Sequence, residues 1–205
     1  MTIPRTRVFA LSALASFVVA ALVFGMRPWA LAIGYSHLTH PLAWLGGAGI
    51  PGGMWFDAFA FVLPGALAVA ALWPLRDALP TAAGWSARIG ARLVLLSAFA
   101  FAAQGLLPID IDDLDGTASG LHGIAWTLWW IAFSAGNVCL AWGSRRLRDP
   151  IDCIVGFVAG QTVPLCALFA QAAIPAALAQ RLAFVLWLLW VVWIAGRYDR
   201  LRSSA

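Results

Sequence analysis

The sequence contains no lysine and no glutamate: its 13 basic residues are all arginine and its nine acidic residues all aspartate. Charged residues make up only 11% of the 205 positions, where a soluble domain carries about a quarter. That deficit excludes an ordinary water-soluble fold. Cysteine is scarce too. Cys139, Cys153 and Cys166 fall in or beside apolar stretches, at spacings that suit neither a metal motif nor a redox pair, and they read as small packing residues. Calcium of the EF-hand kind is excluded, because the run that opens at Asp110 has Leu114 at position 5, Gly116 at position 7 and Leu121 at position 12. Haem between helices needs opposed histidines within spans, and only His122 lies inside one. A net charge of +4 raises nucleic acid as a partner, but the arginines are spread over the connections, so no nucleic acid is expected.

What the chain has is apolar length: 62% of it is hydrophobic. A membrane-crossing helix needs about 20 apolar residues, and such runs recur along the whole sequence. The expected spans are 8–26, 56–73, 88–107, 117–142, 151–173 and 181–196, a single all-α transmembrane domain over 1–205 with no length left for a soluble one. The first run is longer than the usual ~7–15-residue core of a signal peptide. It therefore reads as a retained span, although residues 30–32 resemble a cleavage motif. Pro64 and Pro164 fall inside spans two and five, where proline bends a helix. Gly156 and Gly160 form a GxxxG pattern that permits close helix approach, and a homo-oligomer is one use for it.

Arginine placement sets the orientation. Eleven arginines (5, 7, 76, 88, 92, 145, 146, 148, 197, 200 and 202) fall on one side of the six-span arrangement, and only Arg27 and Arg181 on the other. Both termini are therefore expected in the cytoplasm, with the chain in the bacterial cytoplasmic (inner) membrane. Tryptophans mark the same boundaries. Trp29, Trp44 and Trp55 lie at the outer face, and Trp73, Trp85 and Trp142 at the inner one, because indole is apolar with one N–H that seeks water.

This topology sends all three histidines, His37, His40 and His122, to the outer side together with Asp57, Asp110, Asp112, Asp113 and Asp115. His122 continues through Trp126, Trp129, Phe133 and Asn137 at helical spacing. Polar residues in spans turn inward, so this stripe is expected to line the bundle. Gln104, Gln161 and Gln171 add amides, for which interhelical hydrogen bonds are the plain use. A ligand site built from His37, His40, Asp57, Asp110, His122 and Asn137 follows, with a lipid or other amphiphile as the partner because headgroups lie at that level. Histidine with aspartate also suits a divalent metal such as zinc or manganese, with His37, His40, His122 and Asp110 as ligands. In that case the chain is a metal-dependent lipid hydrolase or transferase. Ser119 with Gly120 resembles the Gly-x-Ser-Gly of rhomboid proteases, also six-span, and makes Ser119 a catalytic candidate beside His122 and Asp110. The catalytic histidine of that family belongs in the last span, and 182–196 has none. A small transporter with helices broken at Pro64 and Pro164 is the remaining alternative.

The wider pattern carries a resemblance. A His40-Pro-Leu-Ala-Trp-Leu-Gly46 segment precedes a span opening near Phe56-Asp57. A Gly-Leu-Leu-Pro-Ile-Asp run follows at 105–110, and Leu121-His122 opens the fourth span. This is similar to the bacterial and archaeal six-span family catalogued as domain of unknown function 998, and more distantly resembles the Frag1/DRAM group, which is linked to lipid handling and autophagy. The resemblance implies that Pro108, Asp110 and His122 belong to a shared motif. The chain departs from it in its extra aspartates and in Ser119-Gly120.

The arginine asymmetry makes a direct prediction. Reporter fusions at Asp113 should read outside the cytoplasm and fusions at Arg146 and Ser204 inside; an inside reading at Asp113 would reverse the topology.

Overall fold

The computed structural model describes residues 5–27, 34–77, 79, 83–144 and 149–203, with backbone alone for 144 and 198–203. Trp29, the cleavage motif at 30–32 and Arg145, Arg146 and Arg148 lie outside the described residues. The fold is all-α. Six helices are long and apolar enough to cross a membrane: α1 (Arg5–Gly25), α2 (Gly53–Leu75), α3 (Trp85–Leu106), α4 (Thr117–Ser144), α5 (Pro150–Leu168) and α6 (Ala176–Ser203). Among the described residues there is no strand.

Each helix packs on its neighbours in sequence, and α1 also packs on α6, which closes an up-and-down ring. The middle of the ring is aromatic. Phe17 of α1, Phe61 of α2, Phe101 of α3, Trp129 of α4, and Phe184 and Trp187 of α6 are all at most 2% exposed. They meet edge to face or stacked, with Phe101 and Trp187 at 4.6 Å and Phe17 and Phe184 at 5.6 Å between centroids. Such pairs add about 0.5–1.5 kcal/mol each beyond burial. Trp187 and Trp190 are packing surface, and Trp193 is 39% exposed. The expected stripe on α4 does face inward, with Trp129, Phe133 and Asn137 all buried. Trp55, Trp73, Trp85 and Trp142 are exposed at helix ends, where a membrane interface would hold them.

The tightest seam is α3 on α4, and missing side chains make it so. A Cβ on Gly90 would lie 2.6 Å from Gly136 O and Leu140 N, and one on Gly143 would lie 2.2 Å from Ala87 N. Apolar tails outside the bundle do nothing to drive helices together, so close backbone approach is what membrane helices use instead. The GxxxG pair on α5 is spent in the same way. Gly156 and Gly160 both receive Asn137 of α4, with Cβ distances of 3.0 and 2.7 Å to its side chain, so the groove works inside the chain.

In α2 the buried positions come as pairs, Phe56/Asp57, Ala60/Phe61 and Pro64/Gly65. Four-residue steps overrun a 3.6-residue turn by about 40° each. The widened π turn at Ala58–Val62, in which Leu63 N–H bonds back to Ala58 O, takes up that overrun. It also sits just ahead of Pro64, which has no N–H to continue the α-helical ladder. A change of helix type thus precedes Pro64 by one turn, and Pro164 lies inside α5 one turn before its end. Two helix ends differ from expectation with consequences. α5 stops at Leu168 and is followed by a short turn at Ala170–Ala172. α6 starts at Ala176, straight after Pro175, so Arg181 lies more than a turn inside it.

The α3–α4 seam predicts that Gly90→Leu lowers unfolding stability by about 1–3 kcal/mol or more, through overpacking. Gly120→Ala should stay within about 0.5 kcal/mol, because nothing lies within 4 Å of its added carbon. Thermal unfolding in detergent of the two variants side by side checks this.

Candidate functional site

The described parts of three connections, 34–52, 107–116 and 169–175, meet at the distal end of the bundle, the end opposite the chain termini. Six of the sequence-predicted residues are there, and the structure divides them among separate tasks.

His122 is 8% exposed and sits just inside α4. Its Nδ1 lies 3.1 Å from Gln104 O and 2.9 Å from Leu107 O. Both are acceptors, so Nδ1 carries the proton and Nε2 the lone pair. These carbonyls lie in the last turn and C-cap of α3, where no further helical turn supplies donors; the imidazole caps that helix from its neighbour. Asp110 is occupied elsewhere. Its Oδ1 accepts from Asp112 N–H at 3.0 Å, and its own N–H donates to Ser119 Oγ at 3.1 Å. Ser119 Oγ in turn lies 3.1 Å from Asp110 O and 2.9 Å from Asp113 O. The serine holds the acidic loop in shape, and no hydrogen bond or ion pair joins His122 to Asp110 or to Ser119.

His37 and His40 serve the first loop. Arg181 of α6 donates to Tyr35 Oη, to His40 O at 3.1 Å and to Ala177 O at 2.6 Å, and Gln180 Oε1 accepts from Leu42 N–H at 3.2 Å. Tyr35 sits between the two histidine rings, at 5.1 Å from His37 and 5.9 Å from His40. Burial raises the Tyr35 hydroxyl above its ordinary value, against the pull of Arg181. Burial first, and then Arg181, lower His37 below the usual histidine value, so it is neutral near pH 7. His40 Nδ1 accepts from Ser36 N–H at 3.1 Å, and its ring packs on Trp44 at 4.5 Å. Together these contacts tie the loop to α6.

Asp57 is different. It is four residues into α2, about 6 Å along the helix from Gly53, and 5% exposed. No hydrogen bond or ion pair among the described residues reaches its carboxylate. It lines an open cavity of about 420 Å³ enclosed by the 46–50 turn, Met54 and the end of α3 at 105–108. The turn can approach so closely because Gly49 and Gly52 adopt positive φ, at 80° and 78°. A Cβ on Gly46 would strike Asp57 Oδ1 at 1.8 Å, and one on Gly105 would lie 2.7 Å from the Asp57 backbone oxygen. The carboxylate therefore occupies the space that a side chain at position 46 would fill, and Gly105 lets α3 approach the backbone of α2 beneath it.

The matching family model spans residues 12–197 and is described as protein of unknown function (DUF998). The chain belongs to this family. No curated protein and no solved structure matches it. Within this DUF998 chain, Asn137 stands apart from the other predicted site residues. It lies 15 residues beyond His122 on α4, about 22 Å along the helix, and its Nδ2 donates to Phe133 O at 3.1 Å. That bond lies within its own helix. Gln161 reaches Ser134 Oγ only at 3.5 Å, and Gln104 is fully buried with neither amide atom bonded. His37, His40, His122 and Asp110 do not gather into one ligand set. No three His, Cys, Asp or Glu side chains do so among the described residues.

Sequence reasoning took Arg181 only as a topological marker, passed over Tyr35, and met Gly46 and Gly105 only within the family motifs. The available signal for Arg181 was its place beside an apolar span, where a guanidinium must find acceptors.

His122→Ala should lower unfolding stability by about 1–3 kcal/mol, since it leaves carbonyls at the end of α3 without a donor. It should also speed amide exchange across 108–119. Unchanged exchange there would show that the imidazole does not hold this end.

Proposed function

We propose that this DUF998 chain is a multi-pass protein of the bacterial cytoplasmic membrane whose distal end faces outward and binds an amphiphile, a membrane lipid above all, by its headgroup. The observation that carries this reading is the 420 Å³ cavity beside Asp57. It falls in the size range of small-molecule sites. It opens at the helix ends, at the depth where headgroups lie, and it contains one carboxylate among otherwise backbone and apolar groups. Outward orientation follows from the eleven-to-two arginine split. The hydrolase and transferase reading lacks this support, because its metal ligands serve separate structural tasks.

The test uses the full chain in neutral detergent. A lysophospholipid should be retained in native mass spectrometry and should raise the thermal midpoint. Ala48→Trp, which puts an indole into the cavity from an exposed backbone position, should abolish both effects without lowering the lipid-free midpoint. Equal retention by both proteins, or retention by neither, would overturn the reading.

A further inference from the structure

The geometry points to a primary ammonium as the headgroup group that Asp57 receives. This rests on the amphiphile reading above and gives it a chemistry. A carboxylate that is 5% exposed and without a hydrogen bond among the described residues is an exception in a folded protein, because buried polar groups are almost always paired. The cations of the distal end are not available to pair with it. Arg181 is committed to Tyr35, His40 O and Ala177 O, and Arg27 lies over the Phe24 ring at 4.7 Å. The neighbouring aspartates of the 110–115 loop would add repulsion, not relief. The carboxyl group is therefore left for something that enters the cavity.

The lining narrows what that is. A divalent metal wants several oxygen or nitrogen ligands, and one carboxylate alone serves Asp57. A quaternary ammonium is held by aromatic faces, and no aromatic ring lines this cavity. A primary ammonium needs one anionic acceptor and room for its three N–H donors. The Asp57 carboxylate, seated against Gly46 in the cavity wall, meets that need with a single matched charge. An ethanolamine-type headgroup carries this group at its free end, above the phosphate, so it reaches a carboxylate at headgroup depth while its acyl chain stays in the bilayer.

The test titrates lysophosphatidylethanolamine, lysophosphatidylcholine and N-acetylated lysophosphatidylethanolamine of one chain length onto the full chain, read by native mass spectrometry. The ethanolamine lipid should bind about tenfold or more tighter than the other two, the scale of a charge-assisted hydrogen bond. Asp57→Asn should erase that preference. The N-acetylated lipid keeps the inference falsifiable on the unaltered protein even if the variant does not fold. Equal binding of all three lipids, or a preference that survives in Asp57→Asn, overturns the ammonium assignment and leaves the amphiphile reading standing. Binding of none of them overturns both.

Discussion

The last turn of α3 has no further helical turn to bond its carbonyls, and the distal end depends on how that deficit is met. In water the solvent would satisfy them; at a membrane boundary the protein must. His122 supplies the donor from α4, bonding Gln104 O and Leu107 O. The segment so fixed then does two further things. Its Ile109 O accepts from Ala48 N–H at 2.8 Å, which seats the glycine turn, and its Asp110 locks onto Ser119. One imidazole therefore underlies the acidic loop, the floor of the cavity and the turn that closes over Asp57. A residue can be central to a site in this way without touching the ligand.

Charge is handled differently at the two ends of the bundle. At the end carrying the termini, Arg197 meets Asp152 through Nε and Asp149 through a 2.8 Å contact. Asp149 also accepts from Ile151 N–H, and that bond, ahead of Arg197, holds its carboxyl below the usual range. Every member of that network has a partner, as a structural role requires. At the distal end Arg181 has only neutral acceptors and Asp57 has none. Opposite charges at one end could neutralise each other, yet the fold keeps them apart across the Leu42–Gly46 turn. Arg181 and Gln180 hold its start, and Asp57 rests against its last residue. At roughly 2 Å per residue that turn spans about 10 Å.

The number and type of helices were legible because a bilayer leaves few options. Twenty-residue apolar runs separated by arginines and prolines can only be spans. The partners of the polar residues were not legible, for a reason of period and scale. Sequence spacing places His122 on the inner face of α4, but whether it meets a carboxylate or a carbonyl depends on where α3 stops, a shift of one or two residues. The same holds for Arg181: with α6 expected from 181 it marks a membrane edge, and with α6 beginning at Ala176 it becomes an anchor for the first loop. The π turn of α2 was hidden too, although the four-residue spacing of its buried pairs was in the sequence. That spacing fits a plain α-helix almost as well over so short a stretch.

The weight given to Asp57 over His122 follows from satisfaction, not from residue type. Histidine is the commoner participant in chemistry, and His122 is the more conspicuous side chain. Yet its donor nitrogen is spent on two carbonyls, and removing it costs the fold. Asp57 holds nothing together: no bond would be lost with its charge, while keeping a buried, unpaired carboxylate costs stability. Gly46 and Gly105 add a second cost, since glycine loses more backbone freedom on folding than any other residue. A buried carboxyl group that bonds no described residue is the one that we propose a ligand meets. That is the reason to look for the ligand at Asp57.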